Sequence, residues 1–132
     1  MKYMLDTNIC IFALKHMPKV LAAFETKQND GVAISSIVLA ELEFGVCNSS
    51  SVDKNRNKLI AFLSIVDVLS FDGAAAAEYG SINADLKKQG TPIGIIDTLI
   101  AAHAKAEGLT LVTNNTREFA RVSGLKLEDW SE

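Results

Sequence analysis

Three acidic residues of this chain occur where the surrounding sequence is apolar. Asp6 ends the first short apolar run, and Glu41 and Asp97 each have mainly apolar residues three and four positions away, the spacing of neighbours on one helical face. An ionised carboxylate on such a face costs several kcal/mol unless a positive or hydrogen-bonding group offsets it. The pattern therefore points to a positive ion shared by these acids.

Each acid taken alone has a simpler explanation. Asp6 could cap the helix that follows it, and Asp97 could stabilise the first turn of its own helix through the helix dipole. Glu41 could reach water from the edge of its apolar stripe. The coincidence of all three, in a fold that would bring them to one edge of a sheet, favours a metal site.

The residue types indicate a hard metal ion. The chain has 2 cysteines and 2 histidines, and none of them is clustered at zinc-site spacing. Oxygen ligands suit Mg²⁺ or Mn²⁺, which keep several bound waters and bridge to phosphate. Such an ion would also reverse the local negative charge, so the site would attract a phosphodiester.

Uncharged polar residues follow the fourth predicted strand. Thr113 or Asn115 could hydrogen-bond a carboxylate or a metal-bound water. Alternatively, 113–115 is simply a turn that leads into the next helix.

Strand-length apolar runs alternate with helical patterns along the chain. Strands are predicted at 2–5, 32–34, 66–69 and 109–112, with a weaker one at 125–127. Helices are predicted at 7–15, 18–27, 36–46, 53–65, 73–89, 95–107 and 116–122. This order predicts an α/β fold, with a parallel sheet of about five strands flanked by helices on both faces. Ligands of such sheets bind beyond the carboxyl ends of the strands, where Asp6 lies.

Length and composition limit the class of protein. With 132 residues, 48% of them apolar, we expect a single domain over 1–132 with one core. No apolar run reaches the length of a bilayer span and no leader precedes Asp6, so we expect no membrane partner and a cytoplasmic location. The net charge of -3 argues against a general basic surface for nucleic acid, so an RNA partner would need local basic patches.

The cysteines and histidines are given no catalytic role. Cys10 and Cys47 are interpreted as buried free thiols, and His16 and His103 as exposed helical residues without a partner acid. Any catalysis therefore falls to the acids.

Four motifs, in order along the chain, resemble one known family. They are LDTN with Asp6 and Asn8, ISS leading into AEL with Glu41, GTPIGIIDTLIAAHA with Asp97, and LTLVTNNTREF. Together they cover nearly the whole chain. It resembles the PIN-domain ribonucleases and, within them, the VapC toxins of bacterial toxin–antitoxin pairs, most of all their enterobacterial branch.

The resemblance implies a PIN domain with Mg²⁺- or Mn²⁺-dependent endoribonuclease activity. The residues that would both bind the metal and act in catalysis are Asp6, Glu41 and Asp97. Water activated by the metal would attack phosphorus in line and leave a 5′-phosphate and a 3′-hydroxyl.

Further residues would support these ligands, namely Asn8, Thr113 and Asn115. Many family members have a fourth acid at the position of Asn115. This departure favours one well-bound ion over two, and Glu118 is a weaker candidate for the missing acid.

The resemblance also implies a substrate and partners. The substrate would be tRNA cut in the anticodon stem-loop, with initiator tRNA expected, and translation would be blocked. The candidate RNA-binding residues are Arg117, Lys15, Lys54 and Arg56, although an ordinary solvated surface is the simpler explanation for each. The protein partners would be a VapB antitoxin that places a basic residue in the acidic pocket, and a second copy in a homodimer. A higher-order complex with the antitoxin would contact operator DNA only through the antitoxin.

Two other functions stay open. A receiver-like signalling domain is also a small parallel α/β protein with carboxylates around Mg²⁺, but it needs a second acid beside Asp6 and has no use for Glu41. A catalytically silent PIN domain that only binds RNA or a partner is less favoured, because all three acids are retained.

Overall fold

Five short strands form one parallel sheet in the computed structural model, which describes residues 1–132. Their bounds are β1 Tyr3–Leu5, β2 Val32–Ser35, β3 Asp67–Leu69, β4 Thr110–Val112 and β5 Leu127–Glu128. The strands lie in the order β3-β2-β1-β4-β5, and every neighbouring pair is parallel. The predicted parallel α/β sheet of about five strands is confirmed.

Seven helices connect and follow these strands. Their bounds are α1 Thr7–Leu14, α2 Pro18–Lys27, α3 Ser36–Cys47, α4 Val52–Leu63, α5 Gly73–Gln89, α6 Ile95–Ala106 and α7 Thr116–Phe119. A single 3-10 turn, Gln28–Asp30, leads from α2 into β2. Three helices begin at a side chain that accepts a hydrogen bond from the first turn, and these caps are Asp6, Ser35 and Asp72.

The order of the strands explains why helices cover both faces. The chain moves outward from β1 through β2 to β3 and then crosses back to β4 on the other side of β1. Because such crossovers are right-handed, reversing the direction moves the connecting helices to the opposite face. The sheet therefore has its topological switch point between β1 and β4, where ligands of open α/β sheets bind.

The central strands supply the middle of the core. Met4, Leu5, Ile34, Leu111 and Val112 are all fully buried. A strand that is covered on both faces has a continuous apolar sequence, which is why these strands were recognisable as short apolar runs.

Trp130 closes the sheet edge near β5. Its ring lies edge-on to Tyr3 at 5.2 Å and to Phe24 at 6.3 Å, and its indole N–H donates to Glu128 Oε1 at 3.2 Å. The tryptophan is therefore part of the core of this chain.

Two predictions about burial are wrong. Cys47 is exposed at the end of α3, whereas Cys10 is buried as expected. His103 is fully buried in α6, whereas His16 is exposed. Among the helices, none combines the length and the apolar composition that a membrane span requires.

We expect Gly31→Ala to lower the free energy of unfolding by about 1–3 kcal/mol, measured by urea denaturation. Gly31 has a φ of +90°, and a Cβ built there would lie 2.7 Å from the Cα of Met1. The matched control is Gly80→Ala in the middle of α5, where a Cβ would meet nothing within 4 Å. That control should raise the stability by about 0.5–1 kcal/mol, and equal effects of the two substitutions would contradict the prediction.

Candidate active site

Asp6 lies directly beyond the carboxyl end of β1 and is only 4% exposed. It caps α1, because its Oδ1 accepts the backbone N–H of Ile9 at 3.0 Å. Burial raises the pKa of Asp6 to about 6 against the lowering effects of hydrogen bonds from Thr113 and Ile9, and nearby Asp97 and Asp129 raise it further. Asp6 therefore caps α1 and also belongs to the acidic site.

Glu41 is tied to the helix that follows Asp6. The hydroxyl of Thr7 donates to Glu41 Oε1 at 2.5 Å, which joins the first turn of α1 to the middle of α3. The face around Glu41 is less buried than the sequence suggested, since Phe44 is 68% exposed. Glu41 therefore lies at the edge of its apolar stripe, where it remains accessible to a ligand.

Asp97 lies in the first turn of α6 and is half-buried. The pKa of Asp97 is raised, first by burial and then by the negative charges of Glu118 and Glu41. Asp97 thus interacts electrostatically with an acid of α3 and an acid of α7, and also with Asp6 at the end of β1.

Asn115 contacts a carboxylate close to the site. Its side-chain N–H donates to Glu118 Oε2 at 2.7 Å. Glu118 raises the pKa of Asp97 more than Glu41 does. The fourth carboxylate near the site therefore belongs to Glu118. The polar residue at 115 holds this acid in place.

Asp129 is an acid that the sequence analysis missed. It follows the carboxyl end of β5 and helps to raise the pKa of Asp6. The rule that ligands gather at strand ends would have found it if the last strand had been placed at Leu127–Glu128 and not at 125–127.

The predicted shell of three acids around one ion is not formed. No three of the Asp, Glu, His or Cys side chains lie in an arrangement that could hold a metal ion. Two of the carboxylates are instead engaged by donors of the chain, Glu41 by the Thr7 hydroxyl and Asp6 by the Ile9 N–H. Mg²⁺ is nevertheless commonly bound by one or two carboxylates and otherwise by water, so the oxygen donors present fit such an ion.

The acids have no cationic partner in the chain. The three salt bridges made by lysine or arginine are Lys27–Glu128, Arg56–Glu43 and Lys105–Glu78, and none includes an acid of this site. The region around Asp6 and Asp97 is therefore a concentration of uncompensated negative charge, which a divalent cation would neutralise.

The candidate RNA-binding residues differ in their surroundings. Arg117 is exposed at the start of α7, and Lys15 and Lys54 are also exposed. Arg56 is instead paired with Glu43 at 2.5 Å, so its charge is already engaged.

Two of the residues predicted to support the metal ligands also differ in burial. Thr113 is buried beside Asp6, while exposed Asn8 donates only a long hydrogen bond, 3.5 Å, to Asn114.

Comparison with known proteins identifies the class to which this fold and acidic site belong. The PIN domain model matches residues 3–125. The chain is 48% identical to the tRNA(fMet)-specific endonuclease VapC of Shigella flexneri, with 99% of each chain covered. It is 42% identical to the tRNA(fMet)-specific endonuclease VapC of Salmonella typhimurium, with 98% of each covered. The solved structure of VapBC2 from Rickettsia felis bound to a promoter DNA fragment superposes with a TM-score of 0.94 at 45% identity, covering 98% of this chain and 99% of that one.

The chain therefore belongs to the PIN-domain family and, within it, to the VapC ribonucleases of the VapBC toxin–antitoxin systems. PIN-domain nucleases generally depend on divalent metal ions. The resemblance of the four sequence motifs to this family is confirmed, and the receiver-like alternative is excluded.

We expect Asp6→Asn to raise the free energy of unfolding at pH 7 by about 1–3 kcal/mol. The amide removes a buried charge, and its oxygen can still accept the Ile9 N–H. In the native protein, the folded state holds the Asp6 proton more tightly than the unfolded chain, because the pKa of Asp6 is raised to about 6. Stability should therefore fall as the pH rises from about 4 to about 6 and then level off, and this part of the slope should be absent in the variant.

Urea denaturation across this pH range measures the effect. The control is Asp85→Asn at an exposed position of α5, which also removes one negative charge and should change stability by less than about 0.5 kcal/mol. An Asp6→Asn variant less stable than the native protein at pH 7 would contradict the expectation.

Proposed function

We propose that this chain is the toxin of a type II toxin–antitoxin pair and acts as a Mg²⁺- or Mn²⁺-dependent endoribonuclease. One observation carries the proposal: Asp6, Asp97, Glu41 and Glu118 interact electrostatically, without cationic partners, near the switch point of a PIN-type sheet. A cluster of this kind suits a hard cation and, through that cation, a phosphodiester.

Asp6 and Asp97 are the residues that we assign to the metal, with Glu41 and Glu118 beside them. The bound ion would polarise the phosphoryl group and lower the pKa of a bound water, so that no histidine base is needed. Hydrogen bonds within the chain orient two of these carboxylates. The Ile9 N–H holds Asp6, and the Thr7 hydroxyl holds Glu41.

The proposed substrate is tRNA, cut in the anticodon stem-loop to block translation, with initiator tRNA favoured. This rests on the names of the Shigella and Salmonella relatives, which are tRNA(fMet)-specific endonucleases. Because the chain has a net charge of -3, the RNA backbone must bind to local groups of basic side chains. We place Arg117 and Lys15 among them. Because tRNA is present in the cytoplasm, we propose that the endoribonuclease acts there.

The proposed protein partner is a VapB antitoxin, and we place its helical segment in an apolar groove. The groove has a volume of about 660 Å³ and lies among α1, α2 and α4, with Leu14, Leu21, Phe24, Phe62 and Ile65 in its lining. An open apolar groove between helices suits the apolar face of a partner helix. The related structures of VapBC2 from Rickettsia felis and VapBC from Salmonella typhimurium are complexes bound to DNA. We therefore expect this toxin to reach operator DNA only through its antitoxin. We also propose that it forms a homodimer.

We expect the purified chain to cut a small number of tRNA species in total cellular RNA when Mg²⁺ or Mn²⁺ is present. EDTA should abolish the cleavage, and Asp6→Asn should lower the rate by at least about 100-fold, because the variant loses a charged oxygen ligand. Mapping of the new ends should place the cuts in the anticodon stem-loop, with 5′-phosphates.

The control for loss of charge is again Asp85→Asn, which should cut like the native protein. Cleavage that persists in EDTA would contradict the assignment of the metal. Absence of cleavage with either metal would instead favour a PIN domain that only binds RNA or a partner.

We expect Ile65→Glu to weaken the affinity for a cognate VapB antitoxin by about 30-fold while leaving RNA cleavage intact, because a carboxylate would be buried in the apolar groove. The matched control is Ile60→Glu, since both side chains are similarly exposed, at 55% and 58%, but Ile60 does not line the groove. Affinity is measured by titration calorimetry. Equal loss of affinity in the two variants would contradict the placement of the antitoxin.

A further inference from the structure

A buried histidine connects the two helices that carry Asp97 and Glu41. His103 lies further along α6 than Asp97 and is 0% exposed. Its Nδ1 is 2.7 Å from the Oγ of Ser35. Because Ser35 ends β2 and caps α3, this one hydrogen bond ties α6 to the start of the helix that holds Glu41.

His103 and Ser35 share one buried hydrogen bond. Ser35 Oγ accepts the Ile37 N–H at 3.1 Å and keeps one hydrogen and a second lone pair, so it can pair with either neutral tautomer of His103 at Nδ1. The ring is neutral, because burial lowers the pKa of His103. Nε2 is buried without a hydrogen-bond partner, and Glu107 Oε1 lies 3.9 Å away, beyond hydrogen-bonding distance.

Packing alone does not explain a histidine at this position. The ring lies edge-on to Phe71 at 5.4 Å, in surroundings where an apolar side chain of similar size would fit. An apolar residue would also avoid the penalty of the unpartnered Nε2. The feature that only a polar ring supplies here is the bond to Ser35.

We propose that His103 is a positioning residue that fixes the separation of Asp97 and Glu41 by joining α6 to the start of α3 through Ser35. The inference rests on the proposed function, because it concerns the acids assigned to the metal site. Neither His103 nor Ser35 is exposed, so neither touches RNA. Their effect on catalysis passes through the geometry of the acids, where a displacement of about 1 Å can lower a rate about 100-fold.

The test compares three variants with the native protein. His103→Leu and Ser35→Ala remove the bond and should each lower kcat for RNA cleavage about 10- to 100-fold, with KM changed by less than about twofold. His103→Asn keeps a polar atom at the position of Nδ1 and should retain activity within about threefold of the native value. Each variant is assayed below its own Tm.

Ser35→Ala also removes a helix cap, and this needs its own control. Asp72→Ala removes the cap of α5, where Asp72 accepts the Ala75 N–H at 3.0 Å. It should lower the Tm to a similar extent without lowering kcat.

Two measurements do not depend on RNA cleavage. Nitrogen-15 NMR of the histidines should show that His103 is neutral. Mn²⁺ titration should show binding weakened about tenfold in His103→Leu and Ser35→Ala and close to native in His103→Asn.

The outcomes separate the two proposals. If His103→Leu and Ser35→Ala keep the native kcat and Mn²⁺ affinity and only unfold at lower temperature, His103 is a packing residue and the inference is overturned. If His103→Leu does not fold, Ser35→Ala decides by the same criteria. If the native protein neither cuts RNA nor binds Mn²⁺ more tightly than Asp6→Asn does, the proposed function itself fails.

Discussion

The parallel pairing of β1 between β2 and β4 is the constraint on which the site depends. The chain reverses direction across β1, so the carboxyl ends of β1 and β4 meet at a crevice that no connection covers. Asp6 and Thr113 follow the ends of these strands, and Ser35, which caps α3, is the last residue of the neighbouring strand β2. The sheet therefore places Asp6 at this crevice, and α3 and α6 bring Glu41 and Asp97 towards it. Their burial and mutual repulsion raise the pKa of Asp6 to about 6, which means that the fold keeps negative charge where it is unfavourable.

Most strands and helices and three of the acids could be predicted from the sequence, because each contrasts in polarity with the residues around it. A strand covered on both faces is a short apolar run, and an acid on an apolar helical face is conspicuous. Glu118 and Asp129 lack that contrast. Glu118 follows a polar turn, and Asp129 follows a strand of two residues, Leu127–Glu128, whose sequence is half polar. The proximity of Glu118 to the other acids arises from tertiary packing, which the spacing along the chain does not contain, whereas Asp129 was missed because the last strand was misplaced.

The errors at His103 and Cys47 have a common physical origin. Helical periodicity tells which residues share a face, but it does not tell how deeply the helix is buried. α6 is buried on nearly all sides, with every residue from Ile100 to Ala104 inaccessible, so a histidine on any of its faces is enclosed. Cys47 ends α3, where the helix leaves the core although its apolar pattern continues. Depth depends on neighbouring elements that the local pattern does not specify.

On the proposed function, one concentration of negative charge has three possible partners, and this links them thermodynamically. A proton, a divalent ion and a basic side chain of the antitoxin all neutralise the same carboxylates. Each must therefore weaken the binding of the other two by the same coupling free energy that they exert on it. The apolar groove among α1, α2 and α4 contains no acid of this site, so the contacts made there are independent of that competition. An antitoxin that uses both surfaces would hold the toxin through the groove whatever the metal concentration, while its basic residue excludes the ion on which cleavage depends.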